Sequence, residues 1–204
     1  MPSLVLTIGH SNRSWGDFLH LLAEHKVEVV CDVRSVPRSR LFPHFDRESL
    51  HRRLRAAGLR YVFLGRELGA RPKDPSCYVG GQVQYSLLAR TDAFRQGLDR
   101  VRRGSRLYRI VLMCAERDPL LCHRAILLGP SLTSFDLIMA HVLDRGVLEP
   151  HAQFEDRLLQ ATGNHAHDLF SGRETLLAEA YERQAARIAF RPDRESQYLP
   201  EDAF

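Results

Sequence analysis

Long apolar runs, lysine and cysteine are all scarce in this chain of 204 residues. No apolar stretch approaches the ~20 residues that a membrane-crossing helix needs, so no membrane partner is expected. The start, MPSLVLTIGHS, lacks a basic region followed by a long apolar region, so no signal peptide is predicted and a cytoplasmic location is the expectation. Four irregularly spaced cysteines are too few for a disulfide framework, which argues against the small disulfide-rich secreted class.

Glycine-rich nucleotide motifs are missing as well. Neither G-x-G-x-x-G nor a phosphate-binding loop of the G-x-x-x-x-G-K type occurs, so no nicotinamide, ATP or other cofactor is expected. Position 120, six residues after Cys114, is Leu, so the Cys-x5-Arg loop that holds a phosphate around a nucleophilic cysteine is also absent.

The positive charge is carried almost entirely by arginine. The chain has 29 basic and 25 acidic residues, a formal net charge of +4 and a pI near 9.1, and Lys26 and Lys73 are its lysines. Guanidinium groups bind phosphate and carboxylate in bidentate fashion. This composition is compatible with an anionic small molecule or nucleic acid as partner, and no feature indicates an oligomeric state.

Apolar runs and amphipathic stretches alternate along the first three quarters of the chain. The runs predict five strands, at residues 4–8, 27–33, 59–64, 107–114 and 135–143. The stretches predict helices over 14–26, with Ser14 as N-cap, over 46–58, with Asp46 as N-cap, over 85–103, with a break near Thr91, and over 119–128. This alternation predicts a Rossmann-like α/β fold, with a mainly parallel sheet of about five strands and helices on both faces.

The remaining stretches follow other patterns. Residues 65–84 are rich in Gly, Pro and Asp and are predicted to be a loop that exposes Cys77. Residues 149–161 and 173–189 predict two more helices, and the tail from 191 to 204 is expected to be extended or disordered. We therefore expect a Rossmann-like domain over residues 1–148 and a helical extension over 149–204 that packs on the same domain.

Polar and reactive side chains follow three of the predicted strands. Gly9-His10-Ser11 follows the first strand, Asp32-Val33-Arg34 ends the second, and Cys114-Ala115-Glu116 ends the fourth. The carboxyl ends of parallel strands share one edge of the sheet, which is where ligands bind in open α/β folds. These side chains are therefore predicted to form one functional site.

Several of these segments resemble a known family. The segments TIGHS (7–11), DVRSVPRS (32–39), RELGARPKDPSCY (66–78), MCAERDPLLCHR (113–124) and Ala140-His141 are similar to the domain of unknown function 488 family. The similarity extends over nearly the whole chain, and the 113–124 segment is specific to the family. Ala70 departs from it, because many members have a second glycine there. The resemblance implies a Rossmann-like fold and supplies no reaction.

The first chemistry that fits this site uses a thiol. Cys114 would be a nucleophile or redox group, Glu116 an acid/base or orienting carboxylate, and His10 or His123 the proton carrier. The residues expected to bind the substrate are Ser11, Arg34, Arg38, Tyr78, Cys122, Arg124 and His141. The simpler interpretation is a buried inert thiol, since free cysteine is among the most buried residue types.

Two further chemistries fit the same residues. Asp32 and Glu116 could face each other across the strand ends and act on a glycosidic bond, although an ion pair of Asp32 that fixes the loop explains this carboxylate equally well. Cys114, Cys122, His123 and His10 could also complete a tetrahedral metal site. The seven residues between the two cysteines match no usual zinc motif, so no metal is expected.

The sequence thus predicts an enzyme, a cysteine- or carboxylate-based hydrolase or transferase. Its substrate would be a phosphate-bearing small molecule, a nucleotide or a nucleic acid. The first alternative is a non-catalytic sensor or adaptor that binds an anionic ligand at the same edge. The second is a carboxylate-based hydrolase or transferase that acts on the glycosidic bond of a nucleoside or nucleotide.

Overall fold

The structure is a computed structural model that describes residues 3–135, 137–163 and 172–192. Its strands are β1 (Leu4–Gly9), β2 (Val29–Asp32), β3 (Arg60–Phe63), β4 (Tyr78–Val79), β5 (Gln82–Val83), β6 (Ile110–Cys114), β7 (Ile138–Val142) and β8 (Leu148–Pro150). Its α-helices are α1 (Trp15–Glu24), α2 (Arg47–Ala56), α3 (Gly65–Leu68), α4 (Tyr85–Leu88), α5 (Asp92–Ser105), α6 (His123–Ile126), α7 (Leu128–Thr133), α8 (His151–Thr162) and α9 (Arg173–Ile188). The predicted tail lies, from residue 193 onward, outside the described residues.

Six strands form one sheet in the order β3-β2-β6-β1-β7-β8. All neighbours in it are parallel except β7 and β8, which are antiparallel. The predicted mixed α/β fold with a mainly parallel sheet is therefore confirmed, and the sheet has one strand more than expected. β8 has only three residues and ends in Pro150, so it lacks the apolar run by which the other strands were predicted. The predicted boundary between the Rossmann-like domain and the helical extension, at residues 148 and 149, falls inside this strand.

Helices cover both faces of this sheet, as predicted. On one face α1 and α2 pack through Phe18, Leu22, Leu50 and Leu54. On the other face lies a second core to which α5, α6, α7, α8 and α9 all contribute buried side chains. Successive side chains of a strand point to opposite faces. This alternation decides which polar groups meet at the edge of the sheet.

Helix boundaries follow the capping signals at two of three predicted positions. The Ser14 side chain accepts a hydrogen bond from the Asp17 backbone N–H at 3.1 Å and begins α1. Thr91 separates α4 from α5, where the break was predicted, and its hydroxyl oxygen accepts from the Phe94 N–H. Asp46 does not cap α2 with its side chain, because its carboxylate accepts instead from the Ser39 N–H at 2.6 Å.

The predicted exposure of Cys77 is wrong. Residues 75–83 form a short 3-10 turn followed by the β4–β5 hairpin, and the Val83 N–H of this hairpin donates to the Phe190 carbonyl at 3.0 Å. Cys77 has 0% exposed area and belongs to the core that also contains Val83 and Tyr85. The Gln84 N–H donates to the Cys77 carbonyl at 2.8 Å. The thiol of Cys77 is therefore a core group.

The two C-terminal helices pack on the sheet domain and on each other. Gln184 of α9 donates its side-chain amide to the Leu120 carbonyl at 2.7 Å, and Gln82 donates to the Ala186 carbonyl at 2.8 Å. These bonds attach α9 to the segment that follows β6 and to the β4–β5 hairpin. In the ranges that the structure describes, no helix is both long and apolar enough to cross a membrane.

Candidate active site

The carboxyl ends of β1 and β6 meet side by side, as the sequence predicts. Gly9 lies opposite Cys114 in the register, and the His10 N–H donates to the Cys114 carbonyl at 2.9 Å. A Cβ atom at Gly9 would lie 1.8 Å from the Glu116 carbonyl oxygen. Only glycine fits there, so Gly9 is what lets the segment after β6 cross the end of β1.

The segment after β2 is held by a second close approach. A Cβ atom at Gly65, the first residue of α3, would lie 2.0 Å from the Arg34 carbonyl oxygen. The Val33 N–H donates to the Met113 carbonyl at 3.1 Å and continues the β2–β6 ladder by one residue. These contacts fix the position of the backbone at Arg34.

Four neighbouring side chains form a group that we call the thiol cluster: Cys114, Glu116, Cys122 and His123. The two cysteines and the histidine are buried, and Glu116 is exposed. Cys114 ends β6, and Cys122 directly precedes α6, of which His123 is the first residue. The sulfur atoms of Cys114 and Cys122 lie 3.0 and 2.9 Å from the same Glu116 Oε2. One carboxylate oxygen therefore lies within hydrogen-bond distance of both sulfur atoms.

The imidazole of His123 completes the thiol cluster. Its Nε2 lies 3.2 Å from the Val33 carbonyl, which can only accept, so Nε2 carries a proton and Nδ1 faces the sulfur atoms. Nδ1 lies 3.6 Å from the Cys114 sulfur and 3.9 Å from the Cys122 sulfur. Both sulfur atoms and one ring nitrogen lie within 4.8 Å of one another, a soft donor set that suits a thiophilic metal ion.

The two thiols affect each other's acidity. The hydrogen bond to Cys122, together with burial, raises the pKa of Cys114 well above its ordinary value. Burial also acts to raise the pKa of Cys122, but the Cys114 hydrogen bond, the Arg124 charge and His123 outweigh it, and this pKa is held well below its usual range. The pair therefore loses one proton readily and retains the second.

The pKa values of Glu116 and His123 are shifted as well. Desolvation of its carboxyl beside the sulfur atoms, followed by the effect of Cys122, raises the pKa of Glu116, although the residue is otherwise exposed. Burial alone would lower the pKa of His123, but the hydrogen bond and charge of Cys122 and the charge of Glu116 raise it overall. A carboxyl that takes up a proton more readily than usual thus lies in hydrogen-bond contact with both sulfur atoms.

A second buried group, the arginine cluster, consists of His10, Asp32, Arg34 and Tyr61. Arg34 donates to both carboxylate oxygens of Asp32, at 2.9 and 2.7 Å, and its Nη1 lies 3.1 Å from His10 Nε2. Tyr61 donates its hydroxyl to Asp32 at 2.9 Å. Burial, followed by the Arg34 charge, lowers the pKa of His10 to about 4, so the ring is neutral at pH 7.

The arginine cluster and the thiol cluster start from opposite faces of the sheet. Asp32 is paired in register with Met113, the neighbour of Cys114, so the Asp32 and Cys114 side chains point in opposite directions. Asp32 is held by Arg34 and Tyr61, whereas Glu116 lies beside the two sulfur atoms. Of the two histidines considered as proton carriers, His123 lies beside the thiols and His10 lies beside Arg34.

Arg124 lies beneath the segment that carries Glu116. It has no exposed area, and its guanidinium donates to the Glu116 carbonyl at 2.6 Å and to the Arg117 carbonyl at 2.8 Å. Its Nε has no hydrogen-bond partner among the described residues. Arg124 therefore holds the segment after β6 in place and brings positive charge near Cys122, without facing solvent where a ligand would arrive.

A cavity of about 350 Å³ opens onto the thiol cluster. Its lining consists of Arg34, Ser35, Val36, Arg38, Ala70, Arg71, Tyr85, Cys114, Ala115, Glu116, Leu121, His123, Ile188 and Phe190. Three of these side chains are arginines, so the cavity combines positive charge with the thiol cluster. The guanidinium of Arg71 lies 4.5 Å from the centre of the Phe190 ring.

Some cavity residues were not predicted, and some predicted residues lie elsewhere. Arg71 was missed, although it lies in the family-like segment RELGARPKD, and Phe190 was missed because α9 was not predicted to reach this edge. Tyr78 donates its hydroxyl to the Pro72 carbonyl at 2.7 Å, and Tyr85 lines the cavity instead. The Ser11 N–H donates to the Ala115 carbonyl, and its side chain does not line the cavity.

His141 belongs to a separate hydrogen-bonded chain inside the molecule. Its Nδ1 lies 2.8 Å from the Thr7 hydroxyl, and its Nε2 lies 3.0 Å from His151 Nδ1. The Tyr181 hydroxyl lies 3.0 Å from His151 Nε2 and continues the chain into α9. His141 is fully buried in this chain and does not line the cavity.

The chain matches one known protein family. The model of the family described as Domain of unknown function DUF488 matches residues 14–129, more than half of the chain, and the protein belongs to this family. All four residues of the thiol cluster lie within the matched range. Neither a curated protein nor a solved structure matches the chain.

Proposed function

We propose that the protein is an enzyme that hydrolyses or transfers a group of a phosphate-bearing small molecule, with Cys114 as the nucleophile. The observation that carries this proposal is one cavity lined both by three members of the thiol cluster, Cys114, Glu116 and His123, and by three arginines. Its volume of about 350 Å³ is at the lower end of the range typical of small-ligand sites. A small molecule or nucleotide fits that volume better than a nucleic-acid helix.

Three arginines are suited to bind the phosphate. Hydrogen bonds within the arginine cluster and to the Phe45 carbonyl use four of the five Arg34 N–H groups, which leaves one N–H on Nη1 among the described contacts. Arg38 is exposed at the cavity, and Arg71 lies against Phe190. Charge-assisted hydrogen bonds from guanidinium groups to phosphate are among the stronger polar contacts in proteins.

The thiol cluster then supplies the covalent chemistry. The Cys114 sulfur attacks the electrophilic centre of the bound substrate, and its proton passes to Glu116 Oε2, 3.0 Å away. The bond from that centre to its leaving group breaks, and the leaving group takes the proton from Glu116. Water or a second acceptor then attacks the thiol-linked intermediate, gives its proton to the Cys114 sulfur and regenerates the free thiol.

The test is turnover by a Cys114→Ser variant, with Cys31→Ala as the matched control. Cys31 is also a buried thiol, but it does not line this cavity. We expect a panel of nucleotides and sugar phosphates, screened by thermal shift, to yield a ligand that wild type and Cys31→Ala turn over. Cys114→Ser should bind it within about twofold and turn it over at least ~100-fold more slowly.

Two results would contradict the proposal. Turnover by Cys114→Ser at the wild-type rate would show that the thiol is not the nucleophile. A ligand that binds tightly, is not consumed by the wild-type protein and leaves no adduct on Cys114 by mass spectrometry would indicate a sensor or adaptor.

A further inference from the structure

We propose that the thiol cluster is also a binding site for a thiophilic divalent cation of the Zn²⁺ type, with Cys114, Cys122 and His123 as its ligands. This inference goes beyond the function proposed above and depends on that function only in its consequence for catalysis. It reverses the expectation from the sequence that no metal binds.

The distances between the ligand atoms fit a single tetrahedral ion. Zinc bonds of ~2.3 Å to sulfur and ~2.0 Å to nitrogen place a sulfur and a nitrogen ligand about 3.5 Å apart, and two sulfurs about 3.8 Å apart. His123 Nδ1 lies 3.6 and 3.9 Å from the two sulfurs, and all three atoms lie within 4.8 Å of one another. The two sulfur-to-nitrogen distances therefore lie within a few tenths of an ångström of the tetrahedral value.

The local backbone explains how neighbouring residues can share one ion. Cys122 has extended backbone angles, φ −134° and ψ 136°, and His123 begins α6 directly after it. At this junction both side chains reach the same point, although they are adjacent in sequence. In zinc knuckles a turn separates the ligands in sequence. Their spacing therefore does not predict a site in which Cys122 and His123 are adjacent.

The surroundings of the ligands also favour a metal ion. The bond from His123 Nε2 to the Val33 carbonyl directs Nδ1 at the sulfurs, and metal-bound histidines commonly make such a bond with their other nitrogen. Arg124 fixes the segment between the two cysteines through the Glu116 and Arg117 carbonyls. The donor set is therefore held in place before an ion arrives.

The fourth position of the ion would face the cavity. Cys114, Glu116 and His123 all line it, whereas Cys122 lies behind them. Three protein ligands would leave one position of a tetrahedral ion open to a water molecule. Glu116 Oε2 lies 2.9 and 3.0 Å from the sulfurs, closer than two ligands of one ion lie, so Glu116 would have to move to be the fourth ligand.

Metal binding and nucleophilic chemistry would exclude each other. Binding displaces any proton that remains on the two sulfur atoms and releases it to solvent. A sulfur that is bonded to the ion is no longer free to attack a substrate. The function proposed above therefore belongs to the metal-free protein, and the ion would act as its reversible inhibitor.

The experiment is a Zn²⁺ titration of the chelator-treated full chain, in competition with a chromophoric chelator and without substrate. We expect one ion per chain, and Co²⁺ should produce a thiolate-to-cobalt charge-transfer band with the visible bands of tetrahedral cobalt. The single variants Cys114→Ser, Cys122→Ser and His123→Gln should each bind Zn²⁺ about 100-fold more weakly or worse. Cys77→Ser, a buried thiol outside the cluster, should bind like wild type.

Circular dichroism of each variant separates loss of a ligand from loss of the fold. Equal Zn²⁺ affinity in wild type and in a folded Cys114→Ser/Cys122→Ser double variant would overturn the metal site. So would a cobalt complex without the charge-transfer band. Turnover is measured separately on metal-free protein, so the failure of one proposal is distinguishable from the failure of the other.

Discussion

The arginine cluster and the thiol cluster lie at the same edge of one sheet and differ in how their hydrogen bonds are matched. In the arginine cluster, donors meet acceptors: Asp32 accepts from Arg34 and Tyr61, and His10 accepts from Arg34. In the thiol cluster one oxygen of Glu116 lies within hydrogen-bond distance of both sulfurs, and His123 presents another acceptor, Nδ1, to the same sulfurs.

This difference distinguishes a cluster whose polar groups are paired from one whose groups share partners. Burial of polar groups costs free energy unless their hydrogen bonds are made, and the arginine cluster makes nearly all of them. In the thiol cluster the pKa of Cys114 is raised and that of Cys122 is lowered, and both proposals above place their chemistry there. Substitutions in the arginine cluster test whether its paired hydrogen bonds contribute more to stability than the contacts of the thiol cluster.

The largest effect is expected from Asp32→Asn. This substitution leaves the buried Arg34 guanidinium without its anionic partner, and such a loss costs about 3 to 5 kcal/mol. Urea unfolding followed by circular dichroism measures the change in free energy of unfolding. The comparison variant is Cys114→Ser in the thiol cluster, for which we expect a loss of only about 1 kcal/mol. Equal losses of unfolding free energy in the two variants would show that the arginine cluster does not contribute more to stability than the thiol cluster.

A smaller effect is expected from acid. The folded pKa of His10 is about 4, against 6.5 for an unperturbed histidine, so between these values the unfolded chain binds more protons than the folded one. The stability from the neutral ring is complete above pH 6.5 and is lost as the pH falls towards 4, by up to about 3 kcal/mol. The groups that act on the ring are Arg34, Asp32 and His44.

The measurement is the free energy of unfolding between pH 4 and 7.5 for wild type and His10→Gln. Glutamine can still accept the Arg34 hydrogen bond but does not titrate. The variant should lose less stability than wild type as the pH falls. The other buried histidines, His25, His123, His141 and His151, are present in both proteins. Parallel curves would show that His10 does not titrate in this way.

The smallest effect is expected from Tyr61→Phe. The substitution removes one hydrogen bond to the Asp32 carboxylate, which Arg34 continues to neutralise, so a loss of about 1 kcal/mol is expected. The alkylation rate of Cys114, followed by mass spectrometry, should not change, because Tyr61 lies on the opposite face of the sheet. A changed rate would mean that the two clusters are coupled.

The sequence predicts the fold well where the physical signal is local. Buried strands are short apolar runs, and the break at Thr91 is visible because threonine caps the helix that follows. The burial of Cys77 has no such signal, because it depends on a hairpin of two-residue strands that packs on distant parts of the core. β8 is too short to show a pattern of its own.

The candidate site is predictable to the level of the sheet edge and no further. The rule that parallel strands share their carboxyl ends brings His10, Asp32 and Cys114 to one edge correctly. Whether two side chains then lie on the same face depends on the register between their strands, and Asp32 pairs with Met113 rather than with Cys114. The register is set by long-range packing, which is why the split into two clusters is not evident from the sequence.

The cavity wall formed by Ile188 and Phe190 has a consequence for the newly made protein. A ribosome synthesises β6 before α9, so the strand that carries Cys114 leaves the exit tunnel first. Until α9 has emerged and docked through Gln184, the cavity lacks this wall. The cavity beside Cys114 is therefore completed only after most of the chain has been synthesised.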